Sequence, residues 1–190
     1  MLKNILTIGL ACCIAVIGGA ASVAYTLGSN YNFGAVRAGL WTTYPDLGTR
    51  DADPYAQAEV AIGGVLALGR AEGLGFAAER DNGGATLAAN CAYRVSGQTP
   101  PGRFWTVRAE PFGRSRSQRV AAVHSRALIR SADNSFRIDV SKKPAPGNWL
   151  PVAGSGRIRL VLTLYDTSAA SGPTSGGFAM PDIERISCDA

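Results

Sequence analysis

Few residues of this chain have the types and spacing to do chemistry: a lone histidine, one glycine-flanked glutamate and two tryptophan blocks. His124 is the sole histidine of the 190-residue sequence, which rules out any site built on two imidazoles, the HExxH metalloprotease site included. It lies in VAAVHSRALIR on the strand face of Arg126. There the plain reading is a part-exposed strand residue, and the chemical reading is a general base. Glu72 in ALGRAEGLGF reads as a buried ion-pair partner of Arg70 or another arginine; a lone acid needs a partner before it can run acid–base chemistry. The blocks PPGRFWTV and PGNWLP each hold a tryptophan beside a polar residue. Side chains alternate along a strand, so Phe104 and Trp105 point to opposite faces and one of them enters a core. Two readings stay open for these blocks. Trp105 and Trp149 are packing anchors at the ends of a sandwich, or they form an aromatic floor that, with Arg103 and Asn148, holds a sugar or an amphipathic ligand.

The chain has no G-x-S-x-G elbow, no G-x-G-x-x-G and no Walker A loop, so no cofactor is expected. Scattered carboxylates and a single histidine leave no metal-ligand set. Of four cysteines, Cys12 and Cys13 fall in an apolar run and read as small hydrophobes. Cys91 and Cys188 remain, without a C-x-x-C, and an even pair in an oxidising compartment suggests a disulfide. The formal charge of +5 is concentrated between Arg103 and Lys143, where ten basic residues face only Glu110, Asp133 and Asp139. Nucleic acid is not expected for a chain carried past a membrane. A solvated sheet face is the plain reading of this stripe; an envelope protein, a glycan or an anionic lipid headgroup is the functional one.

The elements that must position these residues are short strands. In FRIDV, Phe136, Ile138 and Val140 share one face; in RIRLVLTLYD, Ile158, Leu160, Leu162 and Leu164 face away from Arg159, Thr163 and Tyr165. Cys91, Tyr93 and Val95 form a similar inward set. This period of two marks half-buried antiparallel strands. Turn signals separate them, among them Asp81-Asn82-Gly83-Gly84, Pro100-Pro101-Gly102, Asp133-Asn134 and Gly154-Ser155-Gly156. Asp53-Pro54 opens one short helix that ends at Gly63-Gly64. Residues 168–177, SAASGPTSGG, read as a surface loop. The expectation is a mainly β, antiparallel, jelly-roll-like β-sandwich with one short N-terminal helix, preceded by a transmembrane helix.

No formal charge appears between Lys3 and Arg37, and Ile5 to Leu27 is apolar or small throughout. About 23 residues of helix span roughly 35 Å, enough for a hydrocarbon core of about 30 Å. A cleaved secretory signal is the rival reading, with small residues at Ser22-Val23-Ala24, although its apolar region is typically about 7–15 residues. Basic charge on the Lys3 side places the N-terminus in the cytoplasm and the rest outside. Tyr25, Tyr31, Trp41 and Tyr44 are expected at the outer headgroup level.

The motifs together carry a family likeness. Leu68-Gly69 with Glu72-Gly73, Cys91 with Tyr93, and Pro100-Pro101 through Phe104-Trp105-Thr106 belong to it. So do Arg119, His124-Ser125, Asp133 with Ser135-Phe136, Pro146 to Pro151, Leu162 through Asp166, Arg185 and Cys188. Over roughly residues 53–190 the chain resembles short, membrane-anchored members of the domain-of-unknown-function family 1214, found mostly in bacteria. The resemblance implies a jelly-roll-like β-sandwich. In longer relatives this domain follows another of unknown function, in whose place this chain has its apolar segment. The family supplies no established activity, so no catalytic residue carries over. Asn134 stands where the family pattern has glycine, and asparagine tolerates the same backbone.

Three segments are therefore expected: an anchor at 1–28, a juxtamembrane connector at 29–52 and the sandwich at 53–190. The expected protein sits in a bacterial inner membrane through its N-terminal helix, with its main domain in the periplasm. It is expected to be a binding or interaction module, not an enzyme, whose candidate contacts are Glu72, Arg103, Trp105, His124, Asn148 and Trp149. The alternative is an envelope hydrolase acting on a glycan or lipid through Glu72 or His124.

Overall fold

A computed structural model describes residues 2–28, 34–63, 67–69, 71–112, 121–167 and 179–188. The first element, α1, runs Leu2–Gly28. Within it, Lys3–Tyr25 has a mean hydropathy of 2.2 and buries none of its side chains against the rest of the chain. Ile5, Leu6, Ile14 and Ile17 are all exposed. Each such side chain forgoes about 1.5–3 kcal/mol of burial while it faces water. Its polar interruptions are accommodated: the Thr7 hydroxyl donates to the Lys3 carbonyl, 2.8 Å away. Length and composition suffice to cross a membrane, and a signal sequence shares both properties.

The remaining elements are β1 (Val36–Ala38), β2 (Trp41–Thr43), α2 (Pro54–Gly63), β3 (Gly73–Ala78), β4 (Cys91–Gln98), β5 (Phe104–Pro111) and β6 (Ala122–His124). They continue with β7 (Ser135–Ser141), β8 (Trp149–Pro151), β9 (Ile158–Tyr165) and β10 (Asp182–Cys188). The helix α2 starts as expected, with the Asp53 carboxylate accepting from the Ala56 N–H at 3.3 Å. The strands form a six-stranded sheet in the order β1-β2-β3-β9-β5-β6 and a four-stranded sheet in the order β10-β4-β7-β8. Among the described strands every pair is antiparallel except β7 with β8, which runs parallel. The chain is thus a mainly β protein of two sheets, with an apolar helix in front.

One core lies between the sheets. Leu74, Leu164 and Trp105 fall in one cross-strand row, and Phe76, Leu162 and Val107 in the next. All six are buried and belong to one cluster with Tyr93, Val95, Phe136, Ile138, Val140 and Ile183 of the opposite sheet. The Trp105 and Phe136 rings meet at 4.8 Å across the sandwich. The inward sets read from period-two alternation are all buried, because a strand with one core face must keep its register, and on β9 the outward Val161 and Thr163 are buried as well.

Residues 34–52, the described part of the expected 29–52 connector, need correction. Trp41 is fully buried, and its indole N–H donates to the Pro181 carbonyl at 2.7 Å. It packs the core and does not lie at a headgroup level, because β1 and β2 extend the six-stranded sheet beyond β3. Position 134 keeps its turn: Asn134 has φ +63°, and the Asp133 carboxylate accepts from the Ser135 N–H and hydroxyl at 3.1 and 2.7 Å. Those Ser135 hydrogen bonds hold the Asp133 carboxyl below its ordinary range. The loop expected at 168–177, Arg70, and Arg114 to Arg119 of the basic stripe lie outside the described residues.

Cys91 and Cys188 are joined by a disulfide across 97 residues of sequence. They are directly opposed in the β4–β10 pair, so the bond fastens an edge strand to its neighbour. Arg185 fastens the same strand again: its guanidinium pairs with the buried Asp81 carboxylate at 2.8 Å and donates to the Thr86 carbonyl at 2.8 Å. It also lies 5.5 Å from the Tyr93 ring centroid. A register shift between Arg185 and Ser187 bulges the outer edge, which discourages pairing with another strand.

Candidate functional site

Strand parity separates the residues of the first tryptophan block. Trp105 is 1% exposed and faces the core, so it offers no surface to a ligand. Its neighbour Phe104 faces outward on the six-stranded sheet, half-buried. Phe104 pairs with Tyr165 across β5–β9, and Thr106 pairs with His124 across β5–β6. Three rings therefore gather on one outer face. Phe104 lies 5.7 Å from Tyr165 with a 40° tilt, and 5.8 Å from His124 with a 36° tilt. His124 is exposed at the end of β6, and Arg126 lies beyond it in a turn, not on a shared strand face.

Arg103 and Asp166 flank these rings, each one residue outside the paired positions Phe104 and Tyr165. The Arg103 N–H donates to the Asp166 carbonyl at 3.3 Å, and the side chains pair at 3.3 Å while 78% and 69% exposed. An ion pair this exposed contributes little to folding, about 0–1 kcal/mol. Glu72 sits at the same end of the sheet, its carbonyl accepting from the Asp166 N–H at 3.1 Å. Its side chain is exposed, not the buried ion-pair partner expected, and accepts from the Gly69 N–H at 3.1 Å. Glu72 thus closes a turn. Among the described residues no contact joins it to His124.

The second tryptophan block is on the other sheet and is used internally. The Asn148 amide carbonyl accepts from the Ile129 N–H at 2.8 Å, and its NH₂ donates to the Ile129 and Arg137 carbonyls, each at 2.8 Å. One side chain thereby stitches the segment after β6 to the β7–β8 pair. Trp149 is half-buried, and its indole N–H donates to the Ser141 carbonyl at 3.2 Å. The single aromatic floor expected from Trp105, Trp149, Arg103 and Asn148 does not form. Arg103 and His124 share a surface; Trp105 is beneath it and Asn148 and Trp149 belong to the opposite sheet.

Farther along the same outer face is a charged cluster. Glu110 accepts from Arg108 on its own strand and from Arg159 on β9 at 3.0 Å. Burial pushes the Glu110 carboxyl upward, but the hydrogen bonds and charges of Arg108 and Arg159 outweigh it and hold the group below its ordinary value. Glu110 thus partly neutralises Arg108, within the basic stripe, and Arg159, outside it. No group of three or more metal-ligating side chains occurs among the described residues. The ring cluster was missed from sequence alone, since it joins residues 104, 124 and 165. Its one local signal was the parity of Phe104 and Tyr165, each opposite to a core neighbour.

A two-sheet sandwich with this arrangement of blocks has a family. Proteins of unknown function of the DUF1214 family match residues 72–169, just over half of the chain, and the chain belongs to that family. The VPA0106 protein from Vibrio parahaemolyticus shares the fold with a TM-score of 0.53 at 20% identity, over 72% of this chain and 36% of its own. An uncharacterised protein from Burkholderia cenocepacia aligns with a TM-score of 0.45 at 19% identity, over 93% of this chain and 52% of its own. The chain thus spans between about a third and half of the length of these two solved proteins. No curated protein sequence matches it.

Proposed function

We propose that this chain is a single-pass bacterial envelope protein whose β-sandwich is a binding module, not an enzyme. In this reading α1 stays in the inner membrane with the N-terminus in the cytoplasm, and the sandwich lies in the periplasm. One observation carries the location: a 23-residue apolar helix with no buried side chain precedes a sandwich whose edge strand is fastened by a disulfide. A helix of this length and composition suits a hydrocarbon core, and the disulfide suits an oxidising compartment. Lys3 on the short side of the span supports the orientation.

The binding role rests on the outer face of the six-stranded sheet, where Phe104, Tyr165 and His124 stand beside the exposed Arg103–Asp166 pair. The hydrolase alternative asks Glu72 or His124 to act, yet the Glu72 carboxylate holds a turn and the His124 ring packs on Phe104. The occupant proposed for this module is an envelope protein, a glycan or an anionic lipid headgroup.

Reporter fusions after Ala190 test the location. A periplasm-active reporter is expected to work and a cytoplasm-active one to stay silent, with the protein retained in membranes after a high-salt wash. Release of a soluble form that begins near residue 25 contradicts the anchor.

A further inference from the structure

We propose that the outer face of the six-stranded sheet is a trough for a neutral glycan. One pyranose ring stacks against Phe104 and Tyr165, and its hydroxyls are held by Arg103 and Asp166. The proposal deepens the binding-module reading and rests on it.

The floor comes from an unexplained glycine. Register sets Gly75, Thr163, Thr106 and His124 in one cross-strand row, with Gly73, Tyr165 and Phe104 in the row beside it. The fold requires Gly73, since a Cβ there would lie 2.1 Å from the Leu164 carbonyl oxygen. It does not require Gly75, which is exposed, has no positive φ and would meet nothing within 4 Å if it carried a Cβ. A mid-strand glycine costs about 0.5–1 kcal/mol relative to alanine, and such positions mark sites where something approaches the backbone closely. Here the absent side chain leaves an open lane over Gly75, while Thr163 beside it in the row is buried.

The wall and rim specify the occupant. Phe104 and Tyr165 are half-buried and in mutual contact, so their ring faces are already held before a ligand arrives and little ordering is lost on binding. Aromatic faces suit the apolar C–H face of a sugar ring. The Arg103 guanidinium has only donors and the Asp166 carboxylate only acceptors, so side by side they match neighbouring hydroxyls, each of which donates and accepts. Asp166 balances the charge of Arg103, and Glu72 adds a negative charge at the same end of the sheet. Among the described residues there, a phosphate headgroup or a carboxylate-bearing polymer finds no net positive charge. A neutral sugar does not need one.

The test uses the full chain in phosphatidylcholine nanodiscs, titrated calorimetrically with chitohexaose and cellohexaose as neutral glycans and hexagalacturonate as an acidic one. Binding of a neutral hexasaccharide is expected, at least about tenfold tighter than hexagalacturonate. Gly75→Thr fills the lane with a strand-forming side chain and is expected to weaken binding about tenfold or more with unchanged thermal melting. Arg103→Ala, at an exposed side chain, is expected to weaken binding without unfolding the protein. Failure of both neutral hexasaccharides to bind overturns the proposal, as does full affinity in both variants. Capture of a protein partner in cells, with no glycan binding in vitro, overturns the trough and leaves the binding-module reading standing.

Discussion

The two aromatic blocks of this chain contain similar residues and put them to opposite use. In PGNWLP, every hydrogen-bonding atom of the Asn148 amide that meets a partner meets the backbone of Ile129 or Arg137, and the Trp149 indole donates to Ser141. In PPGRFWTV, Trp105 is buried, while Phe104 and Arg103 face outward toward Tyr165, His124 and Asp166. The first block spends its polar chemistry on holding β7, β8 and the segment after β6 together. The second divides at one residue, and its outward half is left to solvent. A tryptophan beside a polar residue is therefore no measure of a binding site; what decides is whether the polar atoms are already occupied within the fold.

The largest effect expected from breaking this division is at Trp105. Trp105→Ala should cost about 3–5 kcal/mol in urea unfolding, the range for a large buried ring, while Phe104→Ala on the outward side costs clearly less. Equal losses would erase the distinction between the two faces of β5. Asn148→Ala comes next. It leaves three solvent-accessible backbone groups without their partner and should cost about 0.5–1.5 kcal/mol, measured in the same way.

A smaller effect concerns acid. Glu110 has a lowered carboxyl pKa in the folded protein, so its contribution to stability is complete above the ordinary glutamate range. It is lost as pH falls through the lowered value. Unfolding followed from neutral pH downward should therefore show an acid-sensitive component that Glu110→Gln removes. The smallest stability effect belongs to Arg103→Ala, expected within about 1 kcal/mol of wild type because its ion pair is exposed. A large loss there would make Arg103 a structural residue like Asn148 and would weaken the comparison.

Much of the fold is legible in the alternation of FRIDV and RIRLVLTLYD, because burial on one face fixes which side chains point inward. Phe136, Ile138, Val140, Leu160, Leu162 and Leu164 are all buried as that pattern demands. The β1–β2 hairpin is not legible in the sequence because three-residue strands carry too little periodicity, so Trp41 reads there as a headgroup residue although β2 places it beside β3. The parallel β7–β8 pair was equally invisible, since alternation reports a face and not a direction. At the site, parity established that Phe104 and Trp105 part company without saying which turns inward. The neighbours decide: Trp105 shares its row with Leu164, and Phe104 shares its row with Tyr165. The contact of His124 with Phe104 depends on β6 pairing with β5, a long-range choice that no local pattern carries.

The most direct test of the account compares the two faces in living cells. A photoreactive residue is placed at His124, on the ring-bearing face, or at Lys142, exposed beside the Trp149 block, and intact cells are irradiated. The account predicts adducts from position 124 and none from position 142. Adducts from position 142 alone, or equally from both, would contradict it.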